Sequence, residues 1–306
     1  MDGPAGLTQC PLGPHQSQEY VFEAYPPGTH YWHAHGSLAL ADGLSGPIIV
    51  HPKSPQETEP FSYDEERLFF LQEWYVQTST QQWVGLNNWP FTWVGNPNSI
   101  LINGKAVAPE CLPDGASFNV STKCLETCLS PMEEMLNVTS VVAGKTYRFR
   151  IINAAQLVML NLAITNHTMT IVQVEGTSVE PITGVDSLDI APGQRYDVLV
   201  TMDQAPGTYW IETTVRERNM EVKGQALLHY EGSDLVLPEE SDATQHAAWN
   251  ETIHGVNQEM SLQAINPTRF NESAALTATD VTRYVLVGTQ NRTFFMLYST
   301  CTTMNE

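Results

Sequence analysis

Short runs rich in Val, Ile, Tyr, Phe and Thr, each closed by Gly, Pro, Asn or Asp, follow one another along most of this chain, and they constrain its fold more than any other feature. Residues 17–24, 46–51, 67–74, 99–102, 146–152, 169–174, 187–190, 195–201 and 208–214 read this way. Such side chains suit a pleated, half-buried surface, and the punctuating residues supply the turns. Many short strands with turn signals between them pack as a β-sandwich or β-barrel, so the predicted class is all-β with very little helix. At about 100 to 200 residues per domain, 306 residues make about two domains, or one whole domain with pieces of others.

Two stretches interrupt the pattern. Residues 52–60 are polar and proline-rich, and residues 231–258 are acidic and weakly patterned. The chain is therefore expected to divide into a partial first domain over 1–52, a complete central domain over 60–230, and an acidic connection into a third unit over 231–306. Residues 283–289 and 292–299 read as the first strands of that unit.

Charge excludes some partners. Lys and Arg number 14 against 34 Asp and Glu, a formal charge of −20, which repels a phosphate backbone and rules out nucleic acid. No run approaches the ~18 to 20 consecutive apolar residues that cross a bilayer. Residues 157–164 come nearest, and Asn161 interrupts them. With 42% apolar and 16% charged residues, the chain has material for a sizeable core.

Six Asn-x-Ser/Thr sequons occur, at Asn119, Asn137, Asn166, Asn250, Asn271 and Asn291, where 17 Asn would give about two or three by chance. Of five cysteines, Cys111, Cys124 and Cys128 crowd together without a Cys-x-x-Cys pair, which reads as a disulfide-stapled loop rather than a zinc ribbon. Both features indicate an oxidising, secretory compartment and a glycoprotein. Residues 1–6 carry no signal peptide, so the expectation is that Met1 is not the natural start; an odd cysteine count agrees.

The chemistry gathers at His33-Ala34-His35. On a strand, residues i and i+2 share a face and lie about 6.6 to 6.8 Å apart, so Tyr31, His33 and His35 point one way and His30 and Trp32 the other. Two imidazoles at that spacing can converge on one metal or serve two, and imidazole suits zinc, copper, iron and nickel alike. The remaining seven histidines are scattered, with no second His-x-His. Pro27-Gly28-Thr29-His30-Tyr31-Trp32-His33 is echoed by Pro206-Gly207-Thr208-Tyr209-Trp210-Ile211-Glu212, each copy expected to follow one strand and open another, and only the first carries histidines.

The run Gly28-Thr29-His30-Tyr31-Trp32-His33-Ala34-His35, followed by Asp42-Gly43-Leu44-Ser45-Gly46-Pro47-Ile48-Ile49-Val50, resembles the second of the four copper-binding motifs of the multicopper oxidases, in particular laccases and ascorbate oxidases. Ile100-Leu101-Ile102-Asn103-Gly104-Lys105, Tyr147-Arg148-Phe149-Arg150-Ile151-Ile152-Asn153-Ala154, Pro192-Gly193-Gln194-Arg195-Tyr196-Asp197 and Gly207-Thr208-Tyr209-Trp210-Ile211 are similar to the family's copper-free middle domain. Residues 1–11 resemble the segment after the first copper motif. That motif, the third and the fourth are absent from these residues, so the chain is expected to be an internal segment of a family member.

The resemblance implies cupredoxin-like Greek-key β-barrels and a reaction that couples four one-electron oxidations of a small reducing substrate to reduction of O2 to water, with copper as cofactor. His33 and His35 would each ligate one of the paired, type 3 coppers of a trinuclear cluster. Asp2 would be the carboxylate that orients water and relays protons. Cys111 and Cys124 would close a short disulfide loop, Cys128 would pair with a lost N-terminal cysteine, and Cys10 would lack its partner. With two of the family's histidine ligands, the chain alone is expected to be inactive. The residues also admit a different class, a secreted, non-catalytic cupredoxin-domain glycoprotein that serves as a binding or structural module.

Overall fold

The computed structural model describes residues 10–36, 38–53, 59–106, 136–216, 218 and 222–238, and the backbone of two short strands further on. Residues 1–265 group into one compact unit and residues 266–306 into a second.

The first unit is built on two sheets. One holds six strands in the order β4-β3-β6-β11-β8-β9, where β3 is Glu65–Trp74, β4 Ser99–Ile102, β6 Thr146–Asn153, β8 Met169–Val174, β9 Thr177–Val185 and β11 Arg195–Thr201. The other holds five in the order β10-β7-β12-β13-β5, with β5 Asn137–Val141, β7 Leu160–Ile164, β10 Ser187–Ile190, β12 Thr208–Val215 and β13 Lys223–Tyr230. The β3–β6 and β5–β13 pairs are parallel and the other pairs in these sheets antiparallel. The all-β class expected from the sequence is what forms.

Alternation decides which side chains meet between the sheets. Phe69 and Leu71 of β3, Tyr147, Phe149 and Ile151 of β6, and Tyr196, Val198 and Val200 of β11 point inward onto Leu160, Leu162, Ile211, Ala226 and Leu228. At about 25 cal/mol per Å2 of apolar surface removed from water, each such side chain contributes roughly 1.5 to 3 kcal/mol, and this interior is the main stabilising element. Between β13 and β4 the backbones approach so closely that a Cβ on Gly224 would lie 2.7 Å from the Ile100 carbonyl oxygen, so only glycine fits there.

The outer face of the six-stranded sheet is also covered, and this positions everything that follows. β6 is buried along nearly its whole length. A hairpin of β1 (Gly28–His33) and β2 (Ser45–Val50), paired antiparallel, lies over β6 and β11. Residues 79–87 form a helix, α1, in a stretch with no strand or helix pattern of its own. Thr78 accepts from Gln81 N at 3.4 Å while its own N–H donates to Gln81 Oε1 at 2.9 Å, a capping box. In the second unit, β14 (Leu286–Gln290) pairs antiparallel with β15 (Thr293–Leu297).

One expected strand does not form. Residues 17–24 have no ladder partner among the described residues, and Val21 and Phe22 are exposed by 83% and 65%. A high β-propensity segment becomes a strand only where another backbone can pair with it. The first Pro-Gly-Thr copy accordingly opens β1 without following a strand, whereas the second opens β12.

Candidate metal centre

β1 is fixed by what its inward face touches. Thr29 is fully buried; its hydroxyl accepts from Arg150 Nη1 at 3.0 Å and its carbonyl from Arg195 Nε at 3.2 Å. Two residues on, Tyr31 packs against Leu68, Phe70, Ile152 and Ala154 on the outer side of β3 and β6. Its hydroxyl faces the turn at Gly193 (φ +83°), where a Cβ would lie 3.3 Å away. Burial pushes the Tyr31 phenol above its ordinary range.

The imidazoles continue this line. The His33 ring stacks on Tyr31 with centroids 5.2 Å apart and planes at 27°, and the His35 ring lies 4.9 Å from that of His33 at 31°. β1 ends at His33, so His35 stands beyond the strand and not on it as the spacing predicts. The shared side persists because Ala34 N still donates to Leu44 O at 3.0 Å, prolonging the hairpin contact. The opposite face carries His30 and Trp32: His30 Nε2–H donates to Pro26 O at 2.9 Å with its ring against Gly176, and Trp32 covers Gly46.

A second tie holds the loop between the strands. The Asp42 carboxylate accepts from Ser79 N at 3.0 Å and Ser79 Oγ at 2.6 Å at the start of α1. Those hydrogen bonds hold the Asp42 carboxyl below its ordinary range.

The donor set fits copper. Imidazole nitrogen is a donor of the kind that binds it. His33 Nδ1–H donates to the Ala34 carbonyl at 3.3 Å, which fixes the tautomer and leaves the Nε2 lone pair free for a metal. Among the described residues no group of three or more His, Cys, Asp or Glu side chains is placed to hold a metal ion. Asp2, Cys111, Cys124, Cys128 and Cys301 lie outside the described residues, and Cys10 is exposed with a free thiol.

Beneath the hairpin lies a charged cluster that no sequence motif marks. Buried Asp197 accepts from Arg148 Nε at 2.8 Å, from Arg148 Nη2, and from Arg150 Nη1 at 3.2 Å. Arg148 also donates to Glu59 at 2.6 Å and to Gln173 at 3.1 Å, and Arg150 to Glu66 at 2.7 Å. The available signal was Arg148-Phe149-Arg150 within an apolar strand, two charges on one face with nothing local to say that the face is covered.

Two profiles of the multicopper oxidase family match the chain, over residues 1–55 and 65–233. An L-ascorbate oxidase of Cucumis sativus is 38% identical over 232 residues, covering 75% of this chain and 38% of that protein. A laccase-2 of Thanatephorus cucumeris is 35% identical over 235 residues, covering 75% and 36%. The crystal structure of a laccase from Botrytis aclada superposes with a TM-score of 0.53 at 27% identity, covering 69% of this chain and 36% of that one. The architecture is thus that of the cupredoxin-like domains of multicopper oxidases. The chain spans about half, or less, of the length of the curated relatives it matches.

Proposed function

The chain belongs to the multicopper oxidase family of copper-binding oxidoreductases, and from that premise we propose that it forms part of a laccase-like oxidase. The reaction is one-electron oxidation of phenolic or similar small molecules coupled to four-electron reduction of O2 to water. The observation that carries this reading is the row of adjacent rings Tyr31, His33 and His35 at the exit of β1.

Copper, when bound, would supply the one-electron redox chemistry. His33 and His35 are the residues that would hold copper, each through an imidazole nitrogen. The Ala34 carbonyl keeps the His33 proton on Nδ1, and Tyr31 holds the His33 ring from its other side. O2 reduction to water consumes four protons, and Asp2 is the carboxylate assigned to relay them. Stable copper sites generally take three or more donors, so on this reading the 306-residue chain alone binds copper weakly, shows no intense blue absorption and turns over no substrate. The six sequons and clustered cysteines support a secreted glycoprotein.

Equilibrating the purified chain with limiting Cu2+ and measuring metal per mole tests the ligand assignment. His33→Ala and His35→Ala are each expected to abolish the specific fraction of binding. Equal copper in both variants and the parent would remove the assignment, and sustained O2 uptake by the chain with a diphenol would remove the claim of inactivity.

A further inference from the structure

Of the six sequons, two lie among the described residues, and the fold treats them differently. Asn137 opens β5, and its carboxamide oxygen accepts from Thr139 Oγ1 at 3.3 Å and from Asn103 Nδ2 at 3.5 Å. The sequon threonine Thr139 is itself buried. Asn166 stands in the turn that carries the chain from β7, in one sheet, to β8 in the other. Asn166 and Thr168 are both exposed, and among the described contacts the Asn166 carboxamide makes no hydrogen bond.

The turn is built independently of that carboxamide. His167 N donates to Ile164 O at 3.0 Å, closing residues 164–167, and Asn166 takes φ +61°, a left-handed backbone that Asn tolerates better than most residues. Beneath it, His167 Nδ1–H donates to Thr165 O at 2.8 Å and His167 Nε2 accepts from Tyr230 OH at 2.7 Å. The backbone is locked from below, and the Asn166 side chain projects from a rigid corner into solvent. A sugar on Asn166 Nδ2 displaces no protein contact, whereas one on Asn137 would meet a carboxamide already engaged with its neighbours.

We propose that Asn166 is an N-glycosylation site, with the oligosaccharide linked to Nδ2 at the β7–β8 corner. This rests on the secretory reading above. In the linkage the anomeric carbon of a preassembled oligosaccharide forms a bond to the carboxamide nitrogen as its C–O bond to a lipid pyrophosphate donor breaks; the lipid pyrophosphate leaves with the electron pair, the nitrogen loses a proton, and no oxidation state changes.

The test expresses the full chain behind a cleavable secretion leader in a eukaryotic host, followed by enzymatic deglycosylation in 18O-water and peptide mapping. Expected is an 18O-labelled aspartate at position 166 in the parent and in Thr168→Ser, which keeps the sequon. Thr168→Ala leaves position 166 unlabelled, and Asn166→Asp, which preserves the left-handed turn, lacks one glycan by gel mobility. An unlabelled residue 166 beside a labelled sequon elsewhere overturns this site and leaves the secretory reading standing. No label at any of the six sequons overturns both.

Discussion

Replacing Asp197 by Asn tests whether the buried charges organise this fold. Asp197 is 1% exposed, Arg148 0% and Arg150 2%, so water screens none of them. The carboxylate accepts three N–H groups from two guanidiniums, and arginine can only donate. All three bonds fall on Oδ2, so the Asn carbonyl oxygen can take that place; what is lost is the negative charge that faces the two guanidiniums. Removing one partner of a buried ion pair costs about 3 to 5 kcal/mol. Glu59 and Glu66 still face Arg148 and Arg150, which puts this case at the lower end, about 3 kcal/mol. For a domain of this size about 2 to 4 °C of Tm accompanies each kcal/mol, so the expected fall is roughly 6 to 12 °C by calorimetry or near-UV circular dichroism. Thr29→Val should cost less in the Asp197→Asn background than alone, because both changes release Arg150 from its setting. A fall under about 2 °C, with additive effects at Thr29, would refute the argument.

Three further outcomes follow from named contacts. Gly224→Ala drives a methyl into the Ile100 backbone and should cost about 1 to 3 kcal/mol in chemical denaturation, whereas Gly144→Ala, facing open space, carries only the strain of its positive φ. Burial holds the His167 imidazole below its ordinary value, so the unfolded chain binds a proton that the folded one does not. Stability is then full above about pH 6.5 and falls as the pH drops toward the lowered folded value; thermal melts of His167→Gln should lose that slope, and an unchanged slope would exclude His167 as its source. Tyr31→Phe should keep the ring-current shifts of the His33 imidazole protons in NMR spectra and the copper bound per mole, while Tyr31→Leu, which fills the same apolar site, should lose the shifts and weaken copper binding. Identical behaviour of the two variants would deny Tyr31 a part in holding His33.

Where a short run of strand-forming residues is closed by turn residues, the sequence was a sufficient guide: 99–102, 169–174, 187–190 and 195–201 form with those bounds. The failures have local causes. β7 reads Leu160-Asn161-Leu162-Ala163-Ile164 and is buried on every residue, so it shows no alternation to detect. β9 contains Pro181 and Gly184 and pairs with β8 through register shifts at the sheet edge, composition that argues against a strand unless the edge position is known. Residues 17–24 fail in the opposite way, with good propensity and no strand pairing among the described residues. The adjacency of the His33 and His35 rings was legible because an i, i+2 spacing keeps two side chains on one side while the extended backbone continues, here past the end of β1 through the Ala34–Leu44 hydrogen bond. Thr29, Arg150 and Asp197 were not, since their meeting depends on residues separated by 121 and 47 positions.

The two halves of the site are one mechanical arrangement. Two imidazoles at the free end of a two-stranded hairpin would have little orientation of their own, because an isolated hairpin is marginally stable in water. Here the hairpin is held at three depths: Thr29 by Arg150 and Arg195, Tyr31 by the apolar outer side of β3 and β6, and the Asp42 loop by the start of α1. All three anchors belong to the central sheet region, which among its described residues offers no metal site of its own. The buried cluster on Asp197 stiffens the surface against which the hairpin rests, so a charge deep in one layer bears on the direction of an imidazole in another. The cluster's desolvation cost argues against a purely stabilising role, since a well-packed apolar replacement is often no less stable. What such a replacement would lose is the directed hydrogen bond from Arg150 to Thr29, and with it the register of β1 that brings Tyr31, His33 and His35 to one side.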